Sequence, residues 1–167
     1  SANEVDSSKQ RIQLAKDQNA QYLISIHMSD DVDTTIHGYS LFTHPKEELI
    51  DLCNAINEKL MSINYSRFNG LDSDHYENFP ILMDQSLSTI MIELGYLSNT
   101  EDYTNLTNED YQDRIARSIA EAVLAQIDWT FTGVSLRKTG FFDIMKTMKE
   151  DENIWKIKRS LKEKFLL

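Results

Sequence analysis

The sequence predicts an α/β protein with a mainly parallel sheet, covered by helices on both faces and followed by a helical carboxyl-terminal tail. Two short runs, 22–26 and 89–92, are almost continuously apolar and contain several β-branched residues, which is typical of strands buried on both faces. Amphipathic helical patterns precede and follow these runs. Strands that alternate with such helices favour a parallel sheet with a helical layer on each side.

The first half of the chain is predicted to contain two helices and two strands. Ser7 and the glutamine three residues later are spaced as a capping box, which predicts a first helix over 8–19. The 22–26 strand follows almost without a loop, and residues 38–43 predict a second strand. The clearest helix spans 46–63, because its apolar residues recur at steps of three and four: Leu49, Leu52, Cys53, Ile56, Leu60 and Ile63.

The second half is predicted to contain less regular structure. Residues 64–78 are rich in turn-forming residues and predict an irregular segment. The apolar run 79–83 contains a proline that cannot donate to a strand ladder, so we expect an edge strand or a strand start there. The 89–92 strand is followed by a polar loop, 96–108, and then by an amphipathic helix over 109–127.

The composition changes after Asp128, and this divides the chain into a main domain, 1–128, and a carboxyl-terminal extension, 129–167. Two short amphipathic stretches, 141–149 and 153–165, predict that the extension is helical. The simpler hypothesis is that the extension docks on its own domain. The alternative is a helix that binds a protein partner or the surface of the cell envelope.

The bulk composition bounds the function. The chain has 167 residues, 41% of them hydrophobic, and a formal net charge of −10. This charge argues against nucleic acid as a partner, because an acidic surface repels phosphate. No run approaches the roughly 18 apolar residues of a membrane span, and the polar, acidic start lacks the pattern of a signal peptide. The single cysteine, Cys53, can form no intrachain disulfide, and we expect it in the core.

Two residues that can carry chemistry stand at the ends of the predicted central strands. His27 directly follows the 22–26 strand, and Glu93 directly follows the 89–92 strand. An uncompensated carboxylate in an apolar setting costs about 3 to 5 kcal/mol, so Glu93 indicates a nearby cation, a metal or a catalytic role. Because the carboxyl ends of parallel strands lie together at one edge of an open sheet, we expect His27 and Glu93 to share a site.

Other interpretations of these residues remain open on sequence alone. His27 can be a hydrogen-bonded core histidine, and Glu93 can be a structural carboxylate bonded to loop amides. The other three histidines, His37, His44 and His75, are in predicted loops or at loop edges. We expect them to be ordinary surface residues, although any of them could line a cleft.

Two motifs carry a resemblance to a known family. Leu-Ile-Ser-Ile-His at 23–27 and Ile-Glu-Leu-Gly-Tyr-Leu-Ser-Asn at 92–99, in this order, resemble the second half of the zinc-dependent N-acetylmuramoyl-L-alanine amidases. The resemblance covers 5–127 and implies an extracytoplasmic enzyme of the periplasm or cell wall. Such an enzyme cleaves the amide bond between N-acetylmuramic acid and the L-alanine of peptidoglycan. His27 is then a Zn²⁺ ligand, and Glu93 is the catalytic carboxylate.

The chain also departs from the family pattern. The family domain begins with a strand and a helix that supply a second zinc-binding histidine and a glutamate ligand, and no histidine precedes His27 here. We therefore expect the amino-terminal half of the domain to lie upstream; the alternative is a non-catalytic module that binds peptidoglycan or a protein partner. Met28 and Ser29 stand where the family has a small residue and asparagine, which puts substrate contacts in question.

Overall fold

The computed structural model describes residues 2–126, with side chains from residue 5 onward, and the predicted extension lies outside the described residues. Among the described residues, no helix is long and apolar enough to cross a membrane. The helices and strands are α1 (Ala2–Asp17), β1 (Tyr22–Ser29), β2 (Tyr39–Thr43), α2 (Glu47–Ser62), β3 (Phe68–Asp72), two 3₁₀ turns (Tyr76–Asn78 and Pro80–Leu82), β4 (Ser88–Tyr96), α3 (Thr100–Thr107) and α4 (Glu109–Gln126).

The strands form one mixed sheet in the order β1-β4-β2-β3. β1 runs parallel to β4, and β2 runs parallel to β3, whereas β2 and β4 are antiparallel. The carboxyl ends of β1 and β4 therefore lie at the same end of the sheet as the amino end of β2. The predicted α/β class with a mostly parallel sheet is confirmed.

One face of the sheet packs against α2 and α4. Alternate residues of the strands point to this face, because side chains alternate across a strand with a period of two. Each fully buried aliphatic side chain stabilises the fold by about 1.5–3 kcal/mol. The principal buried residues of this layer are Leu41, Leu49, Leu52, Cys53, Ile56, Leu60, Ile90, Ile92, Leu94, Ile115 and Ile119. The expected core position of Cys53 is confirmed, since its side chain is fully buried.

The opposite face is covered by α1 and by the second 3₁₀ turn. Ile12 of α1 and Leu82 of the turn belong to one buried cluster with Met91 of β4, and Phe42 of β2 packs against it. Among the described residues, Met91 is the strand residue of this cluster that lies nearest to the carboxyl end of β4. The ends of β1 and β4 thus extend past the apolar cover of this face.

Several predicted boundaries were wrong at α1, β1 and β4. α1 begins at Ala2, and Ser7 lies inside the helix instead of capping it. The helix ends where Asn19 takes the left-handed conformation, with a φ of 51°. β1 and β4 continue beyond their apolar runs, so His27 and Glu93 lie within strands. Pairing between neighbouring strands, which local hydrophobicity does not report, extends both elements.

Three segments have a different structure from the prediction. Residues 79–83 contain a 3₁₀ turn instead of an edge strand, because Pro80 occupies its first position. β3 lies inside the segment predicted to be irregular, since its Asn-Gly pair suggested a turn. α3 replaces part of the predicted polar loop. Its N-cap is Asn99, whose side chain accepts hydrogen bonds from the amides of Glu101 and Asp102.

One ion pair joins α1 to the segment that follows the second 3₁₀ turn. The Lys16 ammonium donates to the Asp84 carboxylate, and this bond, with a second one from the Ser86 hydroxyl, lowers the Asp84 pKa to about 2. A carboxyl whose pKa is lowered by folding stabilises the fold above its ordinary pKa of 3.8, and this contribution is lost as the pH falls towards 2.

Asp84→Asn is therefore expected to lower the melting temperature at pH 7 and to have a clearly smaller effect at pH 2, where the folded-state carboxyl is about half protonated. The Lys16 and Asp84 side chains are 38% and 30% exposed. Because solvent screens such a pair, we expect the free energy of unfolding at pH 7 to fall by less than about 1 kcal/mol. Thermal unfolding across this pH range measures it, with the exposed Asp113→Asn on α4 as the control. An equal loss at both pH values would contradict the expectation.

Candidate functional site

The sheet places His27 and Glu93 side by side. They are direct partners in the parallel β1–β4 ladder, and Ser40 of β2 is the partner of Glu93 on its other side. Neighbouring strands lie ~4.8 Å apart, and paired residues point to the same face. His27, Ser40 and Glu93, which we call the strand-end site, thus form a row across three strands on the face that carries α1.

Glu93 lies in a half-buried position at the centre of this row. Burial raises the pKa of its carboxyl above the ordinary value of 4.5. The pKa of Tyr96, near the end of the same strand, is also raised, first by burial and then by the negative charges of Glu93, Asp31 and Asp102. Ionisation of Glu93 in the folded protein therefore costs free energy, as expected of a carboxylate that acts on a ligand or a proton.

This cost predicts that Glu93→Gln stabilises the metal-free protein at neutral pH. A carboxyl whose pKa is raised by folding destabilises the fold increasingly as the pH rises above its ordinary pKa of 4.5, and the penalty is complete above the raised pKa. In the presence of a chelator, we expect the variant to melt a few degrees higher at pH 7. The difference should vanish near pH 4, and a variant less stable at pH 7 would refute the penalty.

A polar chain approaches His27 from α1. The Ser25 hydroxyl lies 2.7 Å from Nε2 of His27, two residues further along the same face of β1. The Arg11 guanidinium donates through Nη1 to the Ser25 Oγ at 3.4 Å and through Nε to the Ser7 carbonyl at 3.3 Å. Ser25 is only 4% exposed, so these partners satisfy an otherwise costly buried hydroxyl.

A buried carboxylate fixes the backbone beside the site. Asp102 of α3 is fully buried, and its Oδ2 accepts hydrogen bonds from the amides of Gly38 at 2.8 Å and Tyr96 at 2.9 Å. Its Oδ1 accepts a bond from the Ser66 hydroxyl at 2.9 Å. Asp102 thereby joins the segments that lead into β2 and β3 to the end of β4.

The close approach of Asp102 explains a glycine in β4. Gly95 has a φ of +156°, and a Cβ at this position would lie 2.8 Å from Oδ2 of Asp102. The β1–β4 register shifts beside it, between His27 and Ser29. A glycine therefore allows the strand to continue past Glu93 while Asp102 holds its end.

The loop that follows β1 is tied to the loop that follows β4. The Leu97 amide donates to the Ser29 carbonyl at 2.8 Å, and the Asp31 amide donates to the Ser98 hydroxyl at 3.0 Å. The Asn99 side-chain amide donates to the Thr34 carbonyl at 2.8 Å. These bonds hold residues 30–37 beside the strand-end site.

Within the part of the chain that the structure describes, the other histidines complete no group of three metal ligands with His27 and Glu93. His44 was predicted to be a surface residue and is fully buried; its Nε2 donates to the Leu82 carbonyl at 2.7 Å, because the 3₁₀ segment folds over the end of β2. That end lies opposite the strand-end site, since β2 and β4 are antiparallel. His75 is exposed beside Asp72, and His37 contacts the Thr35 carbonyl at 3.0 Å.

The strand-end site offers one imidazole and one carboxylate. Within residues 5–126, no group of three His, Cys, Asp or Glu side chains is arranged to hold a metal ion. A catalytic zinc takes three protein ligands and one water. His27 can supply one of these three ligands, so the described residues do not by themselves form a zinc site.

Sequence reasoning missed the residues that support the pair. Ser25 carried a usable signal, because a polar residue two positions before His27 falls on the same strand face. The sequence signal at Asp102 was weaker: it is an acidic residue three positions after an asparagine that can cap a helix. The sequence contained no signal for Arg11, since its contact with Ser25 depends on how α1 crosses the sheet.

Fold and site together define an α/β protein with an imidazole and a half-buried carboxylate side by side near the carboxyl ends of two parallel strands. The chain belongs to the N-acetylmuramoyl-L-alanine amidase family, whose model matches residues 1–125. It is 23% identical over 136 residues to an uncharacterized cell wall amidase of Bacillus anthracis, a match that covers 76% of this chain and 25% of the relative.

Solved amidase structures have the same fold. An N-acetylmuramoyl-L-alanine amidase from Clostridium difficile 630 superposes with a TM-score of 0.64 at 27% identity, over 73% of this chain and 66% of that one. The CwlD amidase from Clostridioides difficile, solved in complex with the GerS lipoprotein, superposes with a TM-score of 0.58 at 27% identity, over 71% and 60%. The chain thus spans between 25% and 66% of the length of these relatives.

Proposed function

We propose that this protein acts in zinc-dependent hydrolysis of the amide bond between N-acetylmuramic acid and L-alanine in peptidoglycan. The observation that carries the proposal is the direct pairing of His27 with Glu93 on adjacent strands. Membership of the amidase family supports the class of reaction. The raised pKa of Glu93 supports a role for its carboxylate in proton transfer.

His27 is the proposed zinc ligand of this part of the chain. Neutral imidazole is a common zinc ligand, and a neighbouring carboxylate suits a site where water is activated. When bound, zinc polarises the amide carbonyl and lowers the pKa of water, which the chain's own residues cannot do alone. Because the described residues supply one ligand, the proposal requires further ligands beyond this pair.

Glu93 is the proposed proton carrier. Its carboxylate accepts a proton from the attacking water while the water oxygen bonds to the lactyl carbonyl carbon. The same proton then passes to the amide nitrogen as the carbon–nitrogen bond breaks, which releases a lactyl carboxylate and the free amine of L-alanine. Half-burial limits the exchange of this proton with bulk water, and Ser40 and His27 bound the carboxylate on both sides.

The direct test is product analysis with purified peptidoglycan. The longest natural form of the protein is incubated with cell-wall fragments and zinc, new amino-terminal alanine is labelled, and the zinc content is measured by mass spectrometry. We expect alanine amines to appear, to disappear with chelator and to return with zinc. Wall fragments without new alanine amines would overturn the amidase proposal.

A second candidate is a non-catalytic module that binds peptidoglycan. The absence of a three-ligand group among residues 5–126 favours it. Sedimentation with insoluble wall separates the candidates: a metal-free chain that sediments with the wall without cleaving it supports the module. Peptidoglycan is the proposed partner in both cases, and both place the protein outside the cytoplasm, in the periplasm or cell wall.

A protein partner for residues 129–167 also remains a proposal. It is motivated by the basic, amphipathic pattern of 153–165, and the relative CwlD was solved in complex with a lipoprotein. Removal of 129–167 is expected to abolish capture of such a partner from envelope extracts and to leave wall binding intact. Loss of wall binding as well would refute a separate role.

A further inference from the structure

We propose that Tyr96, beside the strand-end site, is a substrate-binding residue whose hydroxyl donates a hydrogen bond to a carbonyl oxygen of the peptide stem. This contact rests on the proposed function, because peptidoglycan supplies the peptide. It needs no metal ion, since binding of the stem and hydrolysis of its amide are separate events. Tyr96 is the last residue of β4, three positions after Glu93, and its side chain is partly exposed.

An extra residue in β4 turns Tyr96 towards the strand-end site. Side chains alternate across a regular strand, so a residue three positions after Glu93 would ordinarily point to the opposite face. Here the register shifts: Tyr96 pairs with Ser29, which is only two positions beyond His27, the partner of Glu93. Because paired residues point to the same face, Tyr96 lies on the face of Glu93. Bulges of this kind re-aim side chains and are common next to active sites.

Hydrogen bonds hold the backbone on both sides of the Tyr96 side chain. The Tyr96 amide donates to Oδ2 of Asp102 at 2.9 Å, and the Tyr96 carbonyl accepts a bond from the Asn99 amide at 3.1 Å. The next amide, that of Leu97, donates to the Ser29 carbonyl of β1 at 2.8 Å. Since tyrosine has only two side-chain torsions, a fixed backbone leaves its hydroxyl few positions and lowers the entropic cost of binding a ligand.

The Tyr96 hydroxyl is a neutral donor beside acceptors. Burial first, and then negative charges that include those of Glu93 and Asp31, raise the pKa of this phenol, so it stays protonated at neutral pH. An ionised carboxylate can only accept hydrogen bonds, whereas a phenol can donate one. Each peptide carbonyl needs a donor. Tyr96 can therefore bind a carbonyl of the stem while the Glu93 carboxylate is left to act at the amide that is cleaved.

The test is binding of a soluble wall fragment, N-acetylmuramoyl-L-alanyl-D-isoglutamine, which contains the amide that the proposed function cleaves. The longest natural form of the protein is titrated with the fragment and followed by NMR. A chelator is present, so that the proposed hydrolysis does not consume the fragment. We expect Tyr96→Phe to raise the Kd about 3- to 10-fold, the usual effect of losing one neutral hydrogen bond. The variant should fold, because it keeps the aromatic ring.

Tyr103→Phe is the matched control, because it removes the same hydroxyl from a side chain that is 53% exposed on α3. Equal affinities of the two variants, or an unaltered protein that does not bind the fragment, would overturn the role of Tyr96. A fragment that binds through Tyr96 but releases no alanine amine after zinc is restored supports the contact and refutes the proposed hydrolysis.

Discussion

Glu93→Gln is expected to reduce peptidoglycan hydrolysis about 100- to 10,000-fold, the usual contribution of a positioned general base. Glutamine keeps the size of the side chain but cannot accept the proton of the attacking water at neutral pH. The variant should still fold, because removal of a half-buried charge relieves the cost that raises the Glu93 pKa. Release of alanine amines under saturating zinc measures the effect.

Glu101→Gln is the matched control, because it makes the same change at an exposed position in the first turn of α3. We expect its activity to remain within twofold of the unaltered protein. The His27→Gln variant should lose activity and zinc together, whereas Glu93→Gln should lose activity and keep zinc. A Glu93→Gln protein with undiminished rate would remove Glu93 from the mechanism.

Asp102→Ala is expected to be the most destabilising of these substitutions, by about 2–4 kcal/mol. It removes the acceptor of two buried amides, Gly38 and Tyr96, and of the Ser66 hydroxyl. Because these groups belong to segments next to β2, β3 and β4, their release should also loosen the strand that carries Glu93. Urea unfolding and amide exchange at Gly38 and Tyr96 measure the two effects.

Asp102→Asn separates hydrogen bonding from charge at this position. The asparagine oxygen can accept both amide bonds, and its NH₂ group can donate to the Ser66 oxygen. We therefore expect it to retain most of the stability that Asp102→Ala loses. Asp113→Ala, at an exposed position of α4, should be close to neutral. If Asp102→Ala and Asp113→Ala lower the free energy of unfolding by the same amount, the Asp102 carboxylate does not stabilise this end of the sheet.

The sequence was most informative where the signal is local and periodic. The apolar spacing of α2 and α4 and the two apolar central strands predicted these elements within a few residues. Sequence-based prediction failed where the structure of a segment depends on contacts with other segments. β3 contains an Asn-Gly pair that resembles a turn, and its strand conformation depends on pairing with β2.

The candidate site shows the same division. His27 and Glu93 could be selected from sequence, because each is a polar residue that directly follows an apolar strand run. His44 could not be recognised as buried, since its cover is the Leu82 segment, which is distant in the chain. Arg11, Ser25 and Asp102 gained their importance from contacts with residues on other elements or across a strand face.

By itself, the sequence determined the α/β class, the principal helices and strands, and the two residues on which the proposed chemistry depends. Only the tertiary structure decided that β4 lies between β1 and β2, which puts Glu93 in register with His27 and Ser40. The physical reason is that hydrophobic periodicity reports which face of an element is buried, whereas strand order and register depend on long-range packing and hydrogen bonding.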